Sequence, residues 1–168
     1  MKIRQATSND AEQLMNLIAH VESTSEYMLM GPGERNNTIE NQTRMIEHFN
    51  HQENSAIFVA ENERLLAYLF AIGNTSMRNK HTAYLVIGVH QDTRGQGVGK
   101  LLFEAVESWA KSVNIHRFEL TVVTENEAGI GLYKSRGFEI EGTKRKSLMI
   151  NEKYYDEYYM SKLLDVIK

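Results

Sequence analysis

In the stretch Val89–Ala110, VHQDTRGQGVGKLLFEAVESWA, the glycines Gly95, Gly97 and Gly99 alternate behind Arg94 and run straight into a helical pattern. That arrangement suits one chemistry above others, the gripping of a phosphate. The first N–H groups of a helix have no internal partner and point outward, and the helix dipole adds partial positive charge at the same end. Glycines tolerate positive φ and let an anion approach the backbone, and Arg94 can add a charge-assisted hydrogen bond. The competing reading is a turn whose glycines only let a strand and a helix pack closely. Two common phosphate loops are excluded. The nucleoside-triphosphate loop requires Lys-Ser or Lys-Thr after its last glycine, but Gly99-Lys100 is followed by Leu101 and position 94 is Arg. The dinucleotide fingerprint, G-x-G-x-x-G near a first strand, fails because the spacing is Gly95-x-Gly97-x-Gly99 and the loop lies mid-chain.

Other residues carry weaker signals. His48 and His51 are three apart on a helical pattern, but no third ligand stands at a sensible spacing, so no metal site is expected. Lys144, Arg145 and Lys146 could hold an acidic partner; with Glu139 and Glu141 nearby, an exposed strand face is the simpler expectation. YYDEYYM reads either as an alternating strand with Tyr154 or Tyr155 in the core, or as the wall of a pocket or a dimer contact. Tyr27, Met28, Leu29 and Met30 lie in a loop around the only proline, Pro32, and loops that carry apolar side chains are expected to bury them.

The elements that must position these residues follow from periodicity. Residues 2–6 read as a strand. The first helix carries Leu14, Leu17, Ile18 and Val21 at helical spacing, with Ser8 or Asn9 as cap. A second helix is expected over 39–51, with Ile39, Ile46 and Phe49 on one side. SAIFVA and RLLAYLFAIG form two strands around the turn ENE, and HTAYLVIGV, apolar almost throughout, forms a central strand. The helix behind the glycine loop places Val98, Leu101, Leu102, Ala105, Val106 and Trp109 on one stripe. RFELTVV alternates as a strand; NEAGIGLYKSR is a short helix stopped by Gly137; FEIEGTKRKSLMI and KYYDEYYMSKLL are strands around the turn NEK. The order β-α-α-β-β-β-α-β-α-β-β, without repeat or linker, implies one α/β domain over residues 1–168.

Composition narrows the function classes. A net charge of −3 offers no basic field for nucleic acid. The absence of cysteine removes disulfides, thiolate zinc sites and cysteine nucleophiles. MKIRQATSND lacks the apolar core of a signal peptide, and the run YLVIGV is too short to span a bilayer, so a cytoplasmic protein without a membrane anchor is expected.

At these residues the chain resembles the GNAT N-acetyltransferases, which use acetyl-coenzyme A. Arg94-Gly95-Gln96-Gly97-Val98-Gly99 matches the fixed positions of the family signature [RQ]-x-x-G-x-[GA], and the strand before it ends LVIGV as the family's pyrophosphate strand does. ENEAGIGLYKSRGF is similar to a second motif, N-x-x-A-x-x-L-Y-x-x-x-G-F, with Asn126, Leu132, Tyr133, Gly137 and Phe138 in place and Gly129 where alanine is common. The start ATSNDAEQL resembles the family's first turn, and the tail looks like the branch that holds ribosomal-protein and amino-acid acetyltransferases.

The resemblance implies a mixed central sheet, splayed between its fourth and fifth strands, with helices on both faces. It implies that acetyl-CoA lies in the splay, its pantetheine amides paired with backbone near Ile87, Gly88 and Val89. Its pyrophosphate would rest on Arg94, Gly95, Gln96, Gly97, Val98, Gly99 and Lys100. Val89 would polarise the thioester carbonyl through its N–H, Tyr133 would protonate the departing thiolate, and Asn126 would contact the cofactor or cap its helix. The loop Glu26, Tyr27 and Met28 would meet the acceptor, a small-molecule amine or a protein N-terminus, and a homodimer is a family possibility. The glutamate that some members carry on the fourth strand is Ala83 here, which leaves Glu22, Glu26 and His81 as candidate bases, each with a surface role as the simpler reading. The alternative is a non-catalytic module that binds acetyl-CoA as a sensor or docks a partner.

Overall fold

The computed structural model describes residues 1–165 of the 168. Strands β2 (Ala56–Asn62) and β3 (Arg64–Gly73) are buried on both faces, which is why they read as unbroken apolar runs. Alternate side chains serve two cores. Ile57, Val59, Leu65 and Tyr68 pack with α1 (Ala11–Thr24) and α2 (Ile39–His51), while Phe58, Ala60, Ala67 and Leu69 pack with α3 (Val98–Ser112). The sheet between the cores has seven strands in the order β1-β2-β3-β4-β5-β7-β6. These add β1 (Lys2–Gln5), β4 (Thr82–Val89), β5 (Arg117–Val123), β6 (Glu139–Ile150) and β7 (Lys153–Leu163), with α4 (Glu127–Ser135) after β5. All neighbours are antiparallel except β4 and β5, which run parallel. The expected element order and mixed α/β sheet with helices on both faces are thus present.

Several details differ from the sequence expectation, each for a local reason. Thr7, not Ser8 or Asn9, caps the first turn; the Asp10 carboxylate accepts from its N–H at 2.7 Å and from Arg4 at 2.7 and 2.8 Å. Asp10 is buried, and the Arg4 guanidinium holds its pKa below the usual carboxylate value. Ile39 is exposed because it opens α2 at the solvent end; Gln42 takes the inward position instead, with Asn37 donating to its amide oxygen at 2.7 Å. On α3 Leu101 turns outward and Phe103 inward. The stripe is rotated because Gly99 abuts α4: a Cβ there would sit 2.9 Å from Leu132. Tyr154 is exposed and Tyr155 only half-buried, since β5 ends at the Val123–Glu157 pair and the β6–β7 hairpin runs on as a two-stranded ribbon. Glu157, Met160 and Ser161 are the buried residues of β7 in their place. Lys144, Arg145 and Lys146 are exposed, as expected, where the β6–β7 register shifts. Leu29, expected to be covered, is exposed.

Candidate active site

β4 and β5 pair only where Thr82–Tyr84 meets Arg117–Glu119, and beyond Tyr84 the two strands have no register. The splay expected between the fourth and fifth strands is therefore present. The direction of the β4 backbone in it can be derived. His90 N–H donates to Leu66 C=O at 2.7 Å, which makes Ala67·Val89 a non-hydrogen-bonded antiparallel pair. Val89, and Ile87 two residues earlier, therefore turn their N–H and C=O groups away from β3 and into the gap. Gly88 lies between them and faces β3, so the expectation that its amide also serves the gap is corrected. Its glycine answers to packing: a Cβ there would lie 2.3 Å from the Tyr68 ring.

At the mouth of the gap the chain turns through Gly95 (φ 77°) and Gly97 (φ 82°) into α3. A Cβ at either position would meet nothing within 4 Å, so these glycines are required by backbone conformation and not by space. Among the described residues, none of the N–H groups from Gly95 to Lys100 donates to a carbonyl or a side chain. A run of unpartnered donors at a helix N-terminus is a ready anion cradle.

A cleft of about 570 Å³ joins this mouth to the splay, and its lining tests the expected site residues. Ile87, Gly88, Val89, Arg94, Gly95, Gly97, Val98, Gly99, Lys100, Asn126 and Tyr133 all line it, with Glu26, Tyr27 and Met28 at the other end. Gln96 does not; its amide folds back and donates to Asp92 C=O at 3.0 Å. The Arg94 guanidinium is also turned from the mouth. It donates through Nε to Val89 C=O (3.1 Å), and through its two terminal nitrogens to Thr24 C=O (3.2 Å) and Thr24 Oγ1 (2.8 Å). Sequence reasoning missed Val21, Thr24, Ser25, Thr93 and Ala128, which the cleft also touches. The one available signal was position, just inside or just past a helix end.

Tyr133 reaches the cleft from α4, its ring edge-on to Phe103 at 6.0 Å and tilted on Phe138 at 6.1 Å. Burial, with a smaller effect of nearby Tyr84, pushes its hydroxyl up to about 12. It therefore keeps its proton at ordinary pH. Asn126 caps α4, its side-chain oxygen accepting from Gly129 N–H at 3.0 Å, and still lines the cleft. At the far end Tyr27 stands edge-on to Tyr155 at 6.0 Å, and Lys153, paired with Glu125 at 3.1 Å, lies over the Tyr155 ring. Loss of solvent, then the nearby Glu26 charge, raises the Tyr27 pKa.

Of the three candidate bases only Glu26 lines the cleft. The surface role expected for Glu22 is wrong: it is 3% exposed, with Arg35 Nε at 3.2 and 3.0 Å from its two oxygens. A carboxylate so held serves as an anchor for the loop after α1. His81 is exposed at the start of β4, the opposite end of the strand from Val89. His48 lies edge-on to Phe49, and His51 Nδ1 meets Glu47 C=O at 2.6 Å. No group of three potential metal ligands occurs among the described residues, and no helix there is long and apolar enough to cross a membrane.

A parallel strand pair that parts beside an unpartnered helix mouth is the arrangement that the resemblance to the N-acetyltransferases implies, and comparison with known proteins agrees. Residues 3–159 match the acetyltransferase (GNAT) domain model, and the chain belongs to that family. An acetyltransferase of the GNAT family from Streptococcus pneumoniae superposes with a TM-score of 0.93 at 26% identity, covering 98% of this chain and 99% of that one. A Salmonella typhimurium protein solved with its cofactor acetyl-CoA superposes at a TM-score of 0.86 over 98% of this chain and 94% of that one; at 19% identity that likeness concerns the fold. The L-amino acid N-acetyltransferase of Escherichia coli is 38% identical over 87 residues, 51% of this chain and 54% of that protein. The match thus spans about half the length of that curated relative.

Proposed function

We propose that this chain, read as one domain, is an N-acetyltransferase that moves an acetyl group from acetyl-CoA to a primary amine by direct attack in a ternary complex. The observation that carries the reading is the set of free N–H groups of Gly95 and of Gly97 to Lys100, at residues that line the same cleft as Tyr133 and the unpaired edge of β4. The cleft fits acetyl-CoA: the cradle suits a diphosphate, and the Ile87 and Val89 backbone groups suit the amides of an extended arm. When bound, acetyl-CoA supplies a thioester carbonyl open to an amine. The Val89 N–H, aimed into the gap, stabilises negative charge developing on the carbonyl oxygen, an effect of about 3 kcal/mol for one such donor. Tyr133 holds a proton for the departing sulfur, and its raised pKa keeps that proton available. Glu26 is the cleft carboxylate able to accept a proton from an incoming amine, directly or through water. No cysteine is present to carry the acetyl group, which favours direct transfer.

The acceptor is a small-molecule amine, with an L-amino acid first in line because the Escherichia coli relative is named for that class; a protein N-terminus is the second candidate. A cytoplasmic location and a homodimer complete the proposal. The test is thiol release from acetyl-CoA against a panel of amino acids, polyamines and peptides with free N-termini. Release with at least one acceptor supports the reading. Thermal stabilisation by acetyl-CoA with no thiol released on any acceptor would favour a sensor instead, the role that Ala83 on β4 would suit and Tyr133 would not.

A further inference from the structure

The Arg94 side chain occupies a place that phosphate binding does not explain. Its guanidinium reaches three acceptors on two elements, Val89 C=O at the end of β4 and Thr24 C=O and Oγ1 at the end of α1. The Thr24 hydroxyl has its own acceptor, His20 C=O at 2.9 Å, so its lone pairs are free for the arginine. A cation on the last carbonyls of a helix is well placed for the dipole, and a planar fork fits two acceptors at once where an ammonium does not. One turn earlier on α1 the His20 ring stacks on His90, the residue after Val89, with centroids 3.8 Å apart and planes 10° from parallel. Two side-chain contacts thus dock the last turn of α1 onto the junction of β4 and the glycine loop. Directly beyond that turn come Ser25, Glu26, Tyr27 and Met28, which line the acceptor end of the cleft.

We infer that Arg94 is a positioning residue: it ties the acceptor wall to the anion-binding loop, so that ordering of the loop by acetyl-CoA orders the wall that meets the amine. This rests on the function proposed above. It assigns to the arginine side chain a task distinct from holding the diphosphate, which falls to the backbone N–H groups of the loop. The consequence is coupling: acetyl-CoA bound first improves the acceptor site, and breaking the fork removes the coupling while leaving the cradle.

Hydrogen exchange with and without acetyl-CoA reads both ends of the cleft and needs no known acceptor. In the native protein acetyl-CoA is expected to slow exchange in 95–100 and in 25–28. In Arg94→Lys, which keeps the charge but loses the fork, and in Thr24→Val, which removes one acceptor and leaves the arginine in place, protection of 95–100 should remain. Protection of 25–28 should fall towards the unliganded rate, and acetyl-CoA affinity should stay within about twofold. The inference is overturned if 25–28 keeps its protection in both variants, which would mean that the ligand covers the wall without help. It is equally overturned if Arg94→Lys lowers acetyl-CoA affinity about tenfold or more with the wall unchanged, which would make the guanidinium a phosphate ligand. If acetyl-CoA protects neither segment of the native protein, the reading of the cleft itself fails and takes the coupling with it.

Discussion

The two ends of the cleft are built from different material. The anion end is backbone: the N–H groups of Gly95 and of Gly97 to Lys100, set by two glycines at positive φ and by the start of α3. Its geometry depends on chain conformation and is nearly independent of side-chain choice. The acceptor end is side chain: Glu26, Tyr27 and Met28 on the loop after α1, with Tyr155 from a ribbon that leaves the sheet. Backbone cradles suit an anion that does not vary, and side chains on a loop suit a partner that does. On the proposed function, one end serves a common donor and the other selects an acceptor.

Tyr133 lines the same cleft and gives the largest expected effect. Tyr133→Phe removes one hydroxyl and leaves the ring against Phe103 and Phe138. It should lower kcat by about 100-fold, within the usual range for a lost general acid, and leave acetyl-CoA affinity within about twofold. Unchanged turnover would remove the acid role and leave the tyrosine as packing. Its pKa adds a second signature. A free phenol loses its proton near pH 10, and this one near 12. Between those values the unfolded chain binds fewer protons than the native one, so stability should fall as pH rises through that window. Thermal melts should show a shallower alkaline fall in Tyr133→Phe, and native kcat should not drop as pH passes about 10 through loss of this proton.

The backbone character of the anion end is tested by Gly97→Val. No neighbour obstructs a side chain there, so the effect must come from conformation. Holding a β-branched residue at φ near 82° costs about 1–3 kcal/mol, and relaxation of the loop would spoil the alignment of its donors. Acetyl-CoA affinity by calorimetry should fall about 10–100-fold, with the circular dichroism spectrum unchanged. Native affinity in a folded variant would show that the donors tolerate another path, and the contrast between the two ends would lose its basis.

The same contrast explains what could be read from the sequence. Gly95 and Gly97 announced the cradle because its backbone turns through positive φ, which glycines mark, while Gly99 completes the pattern through its contact with α4. β2 and β3 were legible because burial on both faces leaves unbroken apolar runs, and α1 because burial of one face imposes a helical period. Arg94 was legible as a residue but not in its task, since nothing local says that its side chain turns back to Thr24, seventy residues away. Glu22 was misjudged for a related reason: a carboxylate at the end of a helix reads as surface until Arg35 from a later loop covers it. The rotation of the α3 stripe, with Leu101 out and Phe103 in, is set by contact between Gly99 and Leu132, a tertiary fact that periodicity alone does not contain.

Asn126 gives the smallest effect and the finest division, because it belongs both to the frame and to the site. Its side-chain oxygen caps α4, and loss of such a cap costs about 1 kcal/mol. Its amide nitrogen makes no hydrogen bond to another described residue, and the side chain lines the cleft. Asn126→Ala should lose both contributions: about 1 kcal/mol of stability in denaturant and about threefold to tenfold in acetyl-CoA affinity, the range of one modest hydrogen bond. Asn126→Asp separates them. Aspartate is as good a cap as asparagine, so stability should return, but it has no N–H to offer a ligand, so affinity should not. If affinity returned with stability, the residue would serve the helix alone, and the side-chain share of the anion end would shrink further towards pure backbone.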